Sequence, residues 1–189
     1  RSRIGLIRHG ETEWNATGLL QGATDIPLNS RGLDQAGDAA ALLVGQGWSN
    51  LYSSPLSRAR VTAEIIGEGT GLGAPILLPG IIERSFGVLE GEKYWMPDGT
   101  RRPLDHPTVE PRAAVVERSL AAIGEVAAAH PDEDSLIVCH GSVIRLVLTA
   151  ILGAQAPHIG NLGLSILRPG AEGGFVVTLL NGYPLVPTP

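Results

Sequence analysis

Residues 6–15 read LIRHGETEWN. An apolar run, RIGLI at 3–7, stops at once on Arg8 and His9, and Gly10 and a polar segment follow. A buried strand ending on a guanidinium and an imidazole needs partners for both, because a polar or charged group taken out of water is costly unless something meets it. The second half of the chain repeats the arrangement. DSLIVCHG, residues 134–141, is an apolar strand followed by His140 and Gly141.

The stretches around these two units alternate in type. SRGLDQAGDAAALLVGQG, from Ser30 to Gly47, reads as a helix capped by Ser30, with Leu33, Ala36, Ala40 and Leu43 on one face. NLYSS (50–54) and APILL (74–78) read as strands. Between them SPLSRARVTAEIIG (54–67) is predicted helical, with Ser54 as cap, Pro55 at the first position, Gly67 near its end, and Leu56, Ala59, Ala63 and Ile66 inward. PRAAVVERSLAAIGEVAAAHP (111–131) is a helix with Val116, Leu120, Ile123 and Ala127 inward, and SVIRLVLTAILG (142–153) follows the second His-Gly. LGLSIL (162–167) and GFVVTLLN (174–181) form a terminal hairpin. Residues 90–111, rich in Pro, Gly and charge, read as an exposed insertion. Strands alternating with helices predict an α/β protein with a mostly parallel central sheet. With neither repeat nor dividing linker, residues 1–189 are expected to form a single domain.

Composition narrows the class. Hydrophobic residues at 43% and charged residues at 17% suit a folded, soluble chain. A net charge of -5 argues against a nucleic-acid surface, although a local positive pocket is compatible with it. The lone Cys139 allows no internal disulfide, which favours a reducing, cytoplasmic setting. The start is too charged and short for a signal peptide, no stretch is long enough to span a membrane, and a leading Met is absent. The expected partner is a small molecule, with neither nucleic acid nor membrane; the terminal hairpin edge offers a route to a homodimer.

In a parallel sheet the ligand crevice lies beyond the carboxyl ends of the strands, which is where His9 and His140 sit. If their strands are neighbours, the imidazoles face one pocket. Gly10 and Gly141 would let backbone N–H groups approach a ligand closely. Arg58, in the first turn of a helix after a strand, belongs near the same edge, whereas Arg60 can pair with Glu64 four residues on. Arg8, Arg58, His9 and His140 then surround an anion, and guanidinium groups grip phosphate oxygens in bidentate fashion. Other chemistries lack their signatures. The sequence has no HExxH or CxxC for zinc, no GxSxG elbow, no GxxxxGK[ST] loop and no GxGxxG fingerprint. No cofactor and no metal is expected. Cys139 reads as a buried strand residue, and His106, His130 and His158 as loop residues near prolines.

LIRHGETEWN resembles the RHGxTxxN signature of the histidine phosphatase superfamily, the phosphoglycerate mutase-like proteins. LQGATDIPLNSRGLDQA, SSPLSRARVTAEII, IIERSFGVLEG and VCHGSVIR resemble the family's later blocks, in the same order and across nearly the whole chain. The resemblance implies a three-layer α/β/α sandwich with the active site at the strands' C-terminal ends. It also implies roles. His9 is the nucleophile that becomes phosphohistidine, Arg8, Arg58 and a protonated His140 hold the phosphoryl oxygens, and Glu83 is the proton donor. Asn15, Gln21 and Gly22 line the substrate site, with Gly141 beside the phosphate. A competing plain reading of Glu83 is a surface ion pair with Arg84.

Within the family, mutases carry a long insertion after the acidic block, with a lysine and an arginine pair for the substrate carboxylate, and a tyrosine three residues after the acidic glutamate. Here that position is Phe86, Leu89 stands where many members have tryptophan, and the shorter segment holds Lys93, Arg101 and Arg102. The expected activity is a metal-independent phosphatase for small phosphorylated metabolites. The alternatives are a cofactor-dependent phosphoglycerate mutase and a non-catalytic phospho-ligand binder. Tyr94, Trp95 and Met96 read either as a substrate wall or as packing for their own segment.

Overall fold

The LIR stretch occupies the middle of the molecule: β1 (Ile4–Arg8) is the central strand of one seven-stranded sheet. In the computed structural model, which describes residues 2–184, the chain continues through a short helix α1 (Glu13–Thr17), α2 (Ser30–Leu43), β2 (Trp48–Ser53), α3 (Ser57–Thr70) and β3 (Ile76–Leu77). Then come α4 (Arg112–Ala129), β4 (Asp134–Cys139), α5 (Gly141–Leu152), β5 (Leu164–Pro169), β6 (Phe175–Leu180) and β7 (Tyr183–Pro184). The spatial order is β3-β2-β4-β1-β5-β6-β7. Strands β1 to β4 all run parallel, β5 is antiparallel to β1, and β6 turns back along β1's direction.

Side-chain alternation in the central strands builds two cores. Strand β4 sends Ile137 and Cys139 to one face and Leu136 and Val138 to the other; β1 divides Ile4 and Leu6 from Ile7 in the same way. Helices α4 and α5 cover the first face with Val115, Ile123, Val143, Ile144 and Val147, while α2 and α3 cover the second with Ala40, Leu43, Ala59, Ala63 and Ile66. This is the three-layer α/β/α sandwich, and burial on both faces is why DSLIVC reads as one apolar run without alternation.

Several local expectations shift. The cap of α2 is Asn29, whose side chain accepts from the Gly32 N–H, and Ser30 is already helical. Leu33 is 45% exposed, and Gly32 takes the buried place because α2 lies directly against the backbone at Glu11. Helix α3 begins at Ser57 and passes Gly67 to end at Thr70, and Ser54 does not cap it. In α4 the buried stripe is Val115, Ser119, Ala122, Ile123 and Val126, turned slightly from the predicted one; Leu120 and Ala127 pack at its margin. The predicted insertion at 90–111 has exposed residues, but it is also tied down. Leu20, Phe86 and Val109 form a small third core with Leu89, Tyr94 and Leu104, and the Leu20, Gly91 and Tyr94 N–H groups bond across to Glu92, Leu20 and Gly18 carbonyls.

Candidate active site

Strands β1 and β4 pair with Arg8 opposite Cys139, so the next residues, His9 and His140, leave the sheet side by side. Their ring centroids are 5.3 Å apart, and the His9 N–H donates to the Cys139 carbonyl. His9 Nδ1 lies 2.6 Å from the Gly10 carbonyl oxygen. A carbonyl can only accept, so Nδ1 carries the hydrogen and Nε2 keeps its lone pair. Burial pushes the His9 pKa well below the ordinary imidazole value, and the charges of Arg8 and Arg58 push the same way. The ring is therefore neutral at physiological pH.

His140 is fully buried, and its Nε2 lies 2.7 Å from Ser54 Oγ. Burial first, then Arg58, His9 and Arg8, hold its pKa well below the ordinary value. This environment by itself favours the neutral ring, whereas the expectation from the sequence is a protonated His140 facing a phosphoryl dianion. Ser54 Oγ accepts from the Leu56 N–H and can also give its own hydrogen to Nε2; in that tautomer Nδ1 is the N–H of His140.

The two arginines are fixed by main-chain carbonyls. Arg58, 1% exposed, donates from Nη1 to Thr24 and from Nη2 to Gly22, both at 2.6 Å. Arg8 donates from Nη1 to the Ile159 carbonyl at 2.7 Å. Four buried side-chain polar atoms among the described residues meet no protein partner, and three of them are Arg8 Nε, Arg58 Nε and His140 Nδ1. An unmet buried donor costs about 1–3 kcal/mol, so the two arginine Nε–H groups, with the unpartnered His140 ring nitrogen beside His9, describe a site organised for an acceptor. Arg60 pairs with Glu64 at 2.5 Å on the helix surface and stays outside.

Two glycines differ from each other here. A Cβ on Gly141 would crowd Arg8 Nε at 3.2 Å, so its absence lets the guanidinium lie over the start of α5. The Gly10 N–H is taken by Thr62 Oγ1, and a Cβ there would strike the Gly32 carbonyl at 2.6 Å. Gly10 thus serves the packing of α2, contrary to the expectation that its N–H faces a ligand.

Glu83 is buried and forms no ion pair with Arg84. Its Oε1 accepts from the N–H groups of Arg84 and Val143, and its Oε2 from that of Ser142, so it bridges onto the first turn of α5. Burial raises its pKa, and the Arg84 N–H and the charge of Arg58 only partly oppose that. Arg84 turns away, donating from Nε to the Glu110 carbonyl.

A cavity of about 550 Å³ opens over this group. Of the expected residues, Arg8, His9, Asn15, Gln21, Gly22, Glu83 and Gly141 line it, and Arg58 and His140 lie behind the wall. Thr12 and Asn15 form a reciprocal cap on α1, and Thr12 Oγ1 donates to Gln21 Oε1, which fixes both Asn15 and Gln21. Tyr94 and Trp95 are part of the wall and Met96 is not; Lys93 is exposed and away from it. Sequence reasoning missed Arg145, His158 and Asn161. Asn161 donates to the His9 carbonyl, and His158 faces the cavity from a loop with no local signature. The other two loop histidines stay outside: His130 bonds Tyr52 and His106 bonds Thr108. Cys139 is buried in the sheet, and burial raises its pKa well above the ordinary thiol value. No helix among the described residues is long and apolar enough to cross a membrane, and no group of three His, Cys, Asp or Glu among them could hold a metal ion.

A mostly parallel sheet carrying two buried histidines, the buried Arg58 and the half-buried Arg8 at its carboxyl edge is an α/β arrangement suited to an anion. A profile of the histidine phosphatase superfamily (branch 1) matches residues 4–182, and the chain belongs to that family. It is 38% identical over 176 residues to an uncharacterized phosphatase, PhoE, of Bacillus subtilis, covering 89% of each chain. It is 33% identical over 165 residues to a probable phosphoglycerate mutase, GpmB, of Cronobacter sakazakii, covering 82% of this chain and 76% of the other. Among solved structures, a phosphoserine phosphatase mutant from Entamoeba histolytica in complex with phosphoserine superposes with a TM-score of 0.82 at 27% identity, covering 97% and 98% of the two chains.

Proposed function

We propose that this enzyme hydrolyses small phosphate monoesters through a phosphohistidine on His9. The observation that carries this reading is His9 with its Nδ1 tied to the Gly10 carbonyl, set beside two arginine Nε–H groups and a His140 ring nitrogen that lack protein partners. In this scheme Nε2 attacks phosphorus and the P–O bond to the leaving group breaks, while Arg8, Arg58 and the neutral His140, through Nδ1–H, take the charge on the equatorial oxygens. In the same scheme Glu83 carries a proton, which the upward push of burial on its pKa favours, and gives it to the departing alkoxide; its carboxylate then draws a proton from the water that attacks the phosphohistidine. The phosphatase names of similar proteins support the reaction class.

Hydrolysis is preferred over mutase transfer because Lys93 stands off the wall and Phe86 replaces the mutase tyrosine, which leaves no lysine anchor for a substrate carboxylate. The test is brief incubation with labelled substrate and a neutral or alkaline quench. Label on the protein is expected, and activity that survives EDTA with it. Absence of label during turnover, or turnover that needs an added metal, would overturn the scheme.

A further inference from the structure

The cleft has a second lobe. Its volume is about 530 Å³, close to that of the first, and the two share Phe86, Tyr94, Arg101, Ser142 and Arg145 as common wall. Five arginines line this second lobe (Arg84, Arg101, Arg102, Arg112 and Arg145) and no carboxylate does. That is a large share of the chain's 14 basic residues, in a protein whose net charge is -5.

The guanidinium groups are held ready for a ligand. Arg84, Arg102 and Arg145 each donate from Nε to a main-chain carbonyl, of Glu110, Lys93 and Ala156, at 2.9, 2.6 and 3.0 Å. This fixes the plane of each group and leaves its terminal nitrogens toward other partners. Arg102 has a distant one in Glu92 at 3.7 Å, while Arg101, Arg112 and Arg145 have no ion pair among the described residues. Arg112 also repels Arg84, a second influence after burial in lowering the Arg84 pKa. Glu92 and, for Arg84, Glu83 and Glu110 offset part of this charge, but Arg101, Arg112 and Arg145 have no carboxylate in ion-pair contact among the described residues, and an anion in the lobe would supply the rest. Guanidinium forks suit a phosphate better than a single carboxylate, because a dianion offers several bidentate edges.

We infer that the second lobe receives a second phosphoryl group, so the preferred substrates are small bisphosphates that place one phosphate on His9 and the other among Arg84, Arg112 and Arg145. This rests on the reading of the first lobe as the hydrolytic site. The probes are propane-, butane- and hexanediol bisphosphates against the matching alkyl monophosphates. Calorimetry on the His9→Ala variant should show at least one bisphosphate binding about tenfold or more tighter than its monophosphate. Arg112→Ala in the same background should remove most of that advantage, and Arg112→Lys should restore part of it. Arg112 is exposed and its side chain has no hydrogen bond among the described residues, so its replacement leaves packing intact; Arg101→Ala, on the wall common to both lobes, is a second variant. In the active enzyme, Arg112→Ala should lower the ratio of kcat/KM for the bisphosphate over that for p-nitrophenyl phosphate by a similar factor. Equal affinity for both probe series at every length, or an advantage that neither variant changes, overturns the inference. Loss of phosphate release from all esters with the binding advantage intact would overturn the hydrolytic reading and leave the second anion site standing.

Discussion

The two strand–His–Gly ends are nearly the same in sequence and different in chemistry. His9 follows LIR and leads into a turn, with its Nδ1 tied to the adjacent carbonyl and Nε2 at the cavity. His140 follows IVC and opens α5, with its Nε2 tied to Ser54 and Nδ1 left without an acceptor. One ring presents a lone pair and the other an N–H. In the proposed mechanism the repeated motif thus supplies both nucleophile and electrophile, and the hydrogen bond at each ring's other nitrogen sets which is which.

The largest expected effect breaks this pair apart. His9→Ala should abolish both covalent label and turnover, a loss of about 10⁴-fold or more, while His140→Ala should lose about 10²–10³-fold, as for one oxyanion donor, and still acquire label slowly. Label in the His9→Ala protein at a wild-type rate would exchange the roles. Next, Glu83→Gln should slow an alkyl phosphate by about 10²–10⁴-fold, because its leaving group needs a proton. The first burst of p-nitrophenol from an aryl ester should persist, since that leaving group departs unaided. Equal loss on both esters would remove the proton-donor role.

The pairing of the histidines was legible in the chain because their environment is local: an apolar strand that ends on a polar pair has few destinations. Arg58 was legible through its helix position, and its burial explains why Arg60, two residues on, is irrelevant. What could not be read was set by distant contacts. The phase of α4 depends on which sheet face it covers, and His158 and Asn161 reach the cavity from a loop placed by β5. For His140 charge complementarity to phosphate is visible in the sequence, but the burial beside Arg58 and His9 that pushes its pKa down is not. For Glu83 the sequence could not show its burial, which raises its pKa against the opposing pull of the Arg84 and Ser142 N–H groups and of Arg58 and Arg8.

Ser54 sharpens the comparison further. If its hydroxyl hydrogen sets the His140 tautomer, Ser54→Ala should cost about tenfold in kcat, less than removing the ring itself, since one buried hydrogen bond is worth about 1 kcal/mol. Ser54→Thr keeps the hydroxyl and should recover most of it. A Ser54→Ala enzyme with unchanged kcat would mean that Nδ1 holds its hydrogen without help. In parallel, Arg58→Ala should lower kcat and raise KM together, because its charge meets phosphate before and during transfer, and Arg60→Ala should change neither.

The smallest expected effect is thermodynamic and tests the neutrality of both rings at once. In the unfolded chain each histidine titrates near its ordinary value, while in the folded protein His9 and His140 both titrate well below it. Above that ordinary value the two states carry the same protons on these groups. As pH falls through it, the unfolded chain takes up protons that the folded one refuses, so stability should decline at about 1.4 kcal/mol per pH unit for each ring. Glu83 works in the opposite sense, because its folded pKa is raised: its proton favours the folded state as pH falls through that value toward the ordinary carboxylate range. Glu83 and His158 are common to the wild type and to His9→Ala, so the difference between the two slopes in the window just below the ordinary histidine pKa isolates His9. Urea midpoints taken stepwise from neutral pH into that window should fall for the wild type, and His9→Ala should fall less steeply by one proton's worth. An identical slope in that variant would mean that His9 is protonated in the folded enzyme, and its Nε2 would then have no lone pair with which to attack.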